Sequence, residues 1–146
     1  MMSTLERAIA IAAEAHTGQT DKAKAPYILH PLRVMMALDT QEQKIAGILH
    51  DVVEDCDAWT FERLREEGFS EAVLDAIDAV SKREGEDYEK FVRRASKDPI
   101  GAHVKLADLR DNADLSRIAN PTEEDRERSA KYVRAIRELE SLSAID

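Results

Sequence analysis

No stretch of this chain alternates apolar and polar side chains with the period of two that a half-buried strand needs. Apolar residues instead recur every three or four positions in segments separated by polar loops. Leu5, Ala8, Ile9, Ala12, Ala13 and His16 predict a first helix over residues 3–17, with Gly18 placed as its C-terminal cap. A polar loop containing Lys22 and Pro26 follows. Pro31 then opens a short second helix, and residues 41–53 form a third with Ile45, Ile48 and Leu49 facing inward. Thr60 and Ser70 are caps for a fourth and a fifth helix. A sixth spans about residues 87–95, and Asp98-Pro99 starts a seventh that runs past Asp108. Thr122 with Asp125 resembles a capping box opening a last, charged helix. The expected fold is all-α: a compact bundle of about eight helices, with residues 1–146 forming a single domain.

Composition narrows the function classes. The formal charge is −9, from 30 acidic and 21 basic residues, which opposes binding to a nucleic acid polymer. It does not oppose a small phosphorylated ligand, because a cation and a few lysines can reverse the potential within one cleft. The one cysteine, Cys56, excludes an intrachain disulfide. The N-terminus has no signal-peptide pattern, and no uncharged apolar run reaches the ~18 residues of a membrane span. A cytoplasmic protein is expected, with its oligomeric state left open.

The chemistry concentrates in His50-Asp51-Val52-Val53-Glu54-Asp55. On a continuous helix His50 and Glu54 lie one turn apart, as do Asp51 and Asp55, so all four project from one broad side. Facing the core, they would bury three carboxylates with no cation in the segment to pair them. A divalent metal would remove that cost; facing water, the same residues would be an ordinary solvated cluster. His30, beside Pro31, and Asp108, within an otherwise apolar stretch, extend the set. Taken alone, His30 reads as a capping or packing residue and Asp108 as a partner for Arg110. Together, two histidines and two aspartates make a mixed nitrogen and oxygen set that suits Mn²⁺, Fe²⁺ or Zn²⁺ better than Ca²⁺. His16 reads as a helix-end or packing residue.

Four motifs stand in register: Ala15-His16-Thr17-Gly18-Gln19, Pro26-Tyr27-Ile28-Leu29-His30-Pro31-Leu32, His50-Asp51-Val52-Val53-Glu54-Asp55, and Lys105-Leu106-Ala107-Asp108 with Asn112. Over roughly residues 5–118 the chain resembles the hydrolase domain of the RelA/SpoT family, within the HD-domain superfamily. In length it is similar to the small stand-alone hydrolases of the metazoan SpoT homologue type. The resemblance implies an all-helical HD fold and a metal-dependent phosphohydrolase that removes the 3′-pyrophosphate from ppGpp and pppGpp. It implies that His30, His50, Asp51 and Asp108 are metal ligands, with Mn²⁺ the usual ion. It also implies that Glu54 and Asp55 assist the attack of water, and that Lys22 and Asn112 contact the nucleotide. Asp21, Leu109 and Leu115 depart from the family's pattern, as does the order Leu109-Arg110-Asp111 after Asp108. Two alternatives stay open on the residues: the same chemistry on another nucleotide or phosphate ester, and a non-catalytic, metal-dependent nucleotide-binding module.

Overall fold

The computed structural model describes residues 2–143 and is helical throughout, apart from an isolated antiparallel bridge between Thr20 and Pro26. The elements are α1 (Leu5–Ala15), α2 (Leu29–Met36), α3 (Gln41–Leu49), α4 (Val52–Asp55), α5 (Phe61–Glu66), α6 (Glu71–Ala79), α7 (Tyr88–Ser96), α8 (Gly101–Ala113) and α9 (Glu123–Ser143). The all-α expectation holds, with nine helical segments among the described residues. The caps form as the sequence implies. The hydroxyls of Thr60 and Ser70 accept the backbone N–H groups of Arg63 and Val73. Thr122 and Asp125 exchange reciprocal side chain-to-backbone bonds at the start of α9.

One expected helix is broken. Residues 41–53 do not run continuously, because α3 ends at Leu49 and the chain resumes as the one-turn α4. In an unbroken helix the Gly47 carbonyl would accept the Asp51 N–H. Here it accepts from Nδ1 of His50 at 2.6 Å. A side chain has entered the backbone ladder, and Asp51 falls at φ −100°, ψ −3°, the sparsely populated bridge region. The break re-aims His50 and Asp51, so the one-sided arrangement expected for a regular helix does not apply.

Two hydrophobic clusters share α8. The larger gathers α1 to α6 around Ile11, Val34, Ile48, Leu49, Leu64 and Ile77, and takes Val104 and Ala107 from α8. The smaller joins Leu106 and Leu109 of α8 to Val92 of α7 and to Ala135 and Leu139 of α9. Helix α8 is therefore buried on nearly every side from Gly101 to Leu109, which explains why it lacks a clear polar stripe. Gly47 lets α3 approach α2: a Cβ there would lie 2.7 Å from Cδ1 of Leu38. That approach brings the start of α2, the end of α3 and the middle of α8 to one point.

Candidate functional site

At that point four acceptor-bearing side chains converge. Nε2 of His30 lies 2.9 Å from Oδ1 of Asp108 and 3.8 Å from Oδ2 of Asp51. Nε2 of His50 lies 3.1 Å from Oδ2 of Asp51 and 3.3 Å from Oδ1 of Asp108. The ligating atoms of His30, His50 and Asp51 all fall within 4.8 Å of one another. The four residues come from three separate stretches, and both histidines and Asp108 are buried.

The ring tautomers follow from what the other nitrogens meet. A backbone carbonyl only accepts, so Nδ1–H of His50 donates to Gly47. Nδ1 of His30 donates to the carboxylate of Asp111 at 2.6 Å. In neutral rings both Nε2 atoms then carry lone pairs, and they face carboxylate oxygens. Four lone-pair donors share such a space around a cation, or around protons held on the ring nitrogens. Two bonds of about 2.1 Å to one ion set neighbouring donors about 3.0–3.4 Å apart, and the shorter distances here match that spacing. The donor set fits a divalent metal.

The electrostatics agree. Burial opposes charge on His50, yet Asp51 and Asp108 outweigh it and hold its pKa well above the usual value. Burial likewise opposes charge on His30, and its hydrogen bonds to Asp108 and Asp111 raise its pKa. Burial would raise Asp108, but Lys105 and the two histidines hold it well below the usual carboxylate range. These are the shifts of a site with surplus negative charge. Lys105, itself only 6% exposed, donates to Oδ2 of Asp108 at 3.2 Å and lies over the Phe91 ring. Arg110, expected from sequence as the partner of Asp108, instead bonds Glu140 on α9. Tyr27 donates to Oδ2 of Asp51 at 2.6 Å and fixes that carboxylate.

A cavity of about 560 Å³ opens beside His30. Lys22 and Asn112 both line it, and Asn112 also donates to Oδ1 of Asp108 at 3.2 Å. Arg33, Arg117 and Arg128 add cations, and Tyr27 and Tyr132 add aromatic wall. Sequence reasoning assigned none of these five to the site. Asp21 also lines the cavity, and its Oδ1 shapes the loop by accepting the N–H groups of Ala23 and Ala25. Leu115 forms part of the wall, whereas Leu109 is wholly buried in the smaller cluster.

Glu54 and Asp55 are placed differently. Both are exposed on α4 and stand outside the cavity lining. Partial burial and then the charge of Asp51 raise the pKa of each. His16 is buried, as the packing reading requires. Its Nδ1 meets Oε1 of Gln19, and its ring packs 5.1 Å from that of Tyr27.

Comparison with known proteins places this geometry. The HD domain family matches residues 8–144. A guanosine-3′,5′-bis(diphosphate) 3′-pyrophosphohydrolase of Aquifex aeolicus is 35% identical over 120 residues, covering 74% of this chain and 17% of that protein. The bifunctional (p)ppGpp synthase/hydrolase SpoT of Escherichia coli K12 is 33% identical over 124 residues, again with 74% and 17% covered. The chain thus spans about a sixth of the length of these curated relatives. A metazoan ortholog of SpoT that hydrolyses ppGpp shares the fold with a TM-score of 0.78 at 24% identity, covering 96% of this chain and 87% of that one. The break after α3, the convergence of His50-Asp51 with His30 and Asp108, and these matches lead to one conclusion: the chain belongs to the HD-domain family, in the branch of the RelA/SpoT hydrolase domains.

Proposed function

We propose that this HD domain hydrolyses a phosphorylated guanosine nucleotide, with ppGpp the first substrate to test and GDP and pyrophosphate the products. The observation that carries this is the meeting of two imidazole Nε2 atoms and two carboxylates on the edge of a cavity lined with cations. His30, His50, Asp51 and Asp108 hold a divalent metal, Mn²⁺ first among candidates. The chemistry supplied by such an ion is Lewis acidity toward a phosphoryl oxygen and a more acidic attacking water. Lys22, Arg117 and Arg128 meet the phosphates, and Asn112 and Tyr132 meet the nucleoside. Glu54 or Asp55 takes the proton of the attacking water, a role favoured by a raised carboxylate pKa. The water oxygen bonds to phosphorus, the bond from phosphorus to the 3′-oxygen breaks, and that oxygen leaves with a proton. We also read residues 1–146 as one domain working in the cytoplasm, a reading supported by the single unpaired cysteine and the acidic surface.

The test is to incubate the Mn²⁺-loaded protein with a nucleotide panel that includes ppGpp and to identify the phosphate product. Pyrophosphate from ppGpp supports the proposal. Orthophosphate from another nucleotide transfers the same machinery to another ester, and tight binding without turnover makes this a binding module. Glu54→Gln should keep its metal and fold while losing about 10²–10⁴ in rate; near-wild-type turnover removes Glu54 from the mechanism.

A further inference from the structure

We infer that Asp111, clamped by Arg33, is the positioning residue that commits His30 to bind a cation through Nε2; this rests on the metal-site reading above. Helices α2 and α8 each present a pair of residues three positions apart: His30 and Arg33 on one, Asp108 and Asp111 on the other. His30 bridges the two aspartates, with Nε2 2.9 Å from Asp108 and Nδ1 2.6 Å from Asp111. Asp111 in turn accepts from Arg33 at both oxygens, at 2.7 and 3.1 Å. Arg117 stands 3.5 Å behind it.

The chemical consequence is specific. A neutral imidazole carries one proton, and whichever nitrogen holds it cannot ligate a metal. An ionised carboxylate offers only acceptors, so with a cation among Asp51 and Asp108, Asp111 takes the one ring proton on Nδ1 and leaves the Nε2 lone pair for that cation. The Arg33 fork keeps Asp111 ionised and fixes the plane of its carboxylate. His50 obtains the same tautomer by other means, from the Gly47 carbonyl. Of the two histidines, only His30 owes its tautomer to a side chain, so only its orientation can be removed by mutation without altering the ligand.

Asp111→Asn is nearly isosteric. Its amide can donate to Nδ1 and move the ring proton to Nε2. Mn²⁺ affinity, measured by competition with a chelating indicator, should fall about 10–100-fold. Arg33→Gln, which leaves the carboxylate in place, should give a smaller loss in the same direction. Nitrogen-15 NMR of the Zn²⁺-loaded wild-type protein should show the His30 ring proton on Nδ1, and this decides the matter if Asp111→Asn does not fold. Unchanged metal affinity in Asp111→Asn, or the proton on Nε2 in the wild type, overturns the inference and leaves the metal site standing. Failure of the wild type to take up stoichiometric metal overturns both.

Discussion

Among single residues, Lys105 shows how the site is balanced. Asp51 and Asp108 bring two negative charges to a largely buried point, and Lys105 returns one beside Asp108. Asp111 is matched separately by Arg33. The remaining deficit is what the raised pKa values of His30 and His50 report, since protons then favour the place a metal cation fits. Lys105→Met keeps the volume and the contact with Phe91 but leaves Asp108 without its nearest permanent cation. Breaking a buried pair from one side typically costs about 3–5 kcal/mol. The bonds from His30, His50 and Asn112 remain, so the expected loss in metal-free protein lies near the lower bound. Saturating Mn²⁺ should recover part of it, because a bound cation offsets the same carboxylate. Chemical denaturation with and without Mn²⁺ measures this. An identical loss under both conditions would mean that Lys105 is a packing residue and no counter-charge.

Among elements, the joint between α6 and α7 is tied by Arg94 and its ion pair with Glu86. Arg94 on α7 grips both oxygens of Glu86 at 2.9 Å and also donates to the carbonyls of Asp78 and Ser81. The hydrogen bond from Arg94 is the main reason the Glu86 carboxyl falls to a pKa of about 2 from 4.5. A depressed carboxylate pKa adds stability that is complete above about pH 4.5 and is lost as pH falls through about 2. The denaturation midpoints of wild type and Glu86→Gln should therefore differ most near neutrality, converge below pH 4.5 and coincide below pH 2. A gap that stays constant with pH would rule out the ion pair as its cause. Neither this pair nor the joint it makes was legible in sequence, because nothing local links Glu86 to Arg94. What was legible followed from local physics: the caps at Thr60, Ser70 and Thr122, the turn at Gly18, and the apolar spacing of α1 and α6. The break at His50 was not, since Ile48, Leu49, Val52 and Val53 continue the apolar pattern across it and the cause is a side chain bonding its own turn. The four residues of the proposed metal site were visible as residue types. Their orienting partners were hidden: Asp111 and Arg33 are 78 positions apart, and in sequence each looks like an ordinary surface charge.

For the whole molecule, α8 separates two jobs. One face locks into the large cluster with the helices that carry His30, His50 and Asp51. The other is covered by α9, which brings Arg128 and Tyr132 to the cavity and ties itself to the end of α8 through Ser129 and the Ala113 carbonyl. The small cluster that attaches α9 depends on Leu139, wholly buried against Leu106, Leu109 and Val92. Leu139→Ala should cost about 2–5 kcal/mol. That loss falls on the α8–α9 contact, because the large cluster keeps all its members. Affinity for a nucleotide should then drop, since the wall bearing Arg128 and Tyr132 loosens, while Mn²⁺ affinity stays within about twofold of wild type because no residue of the metal site lies on α9. Parallel titrations with Mn²⁺ and with a non-hydrolysable guanosine nucleotide measure the two effects separately. If both affinities fell together, α9 would be part of the metal scaffold, and the division of labour across α8 would be wrong.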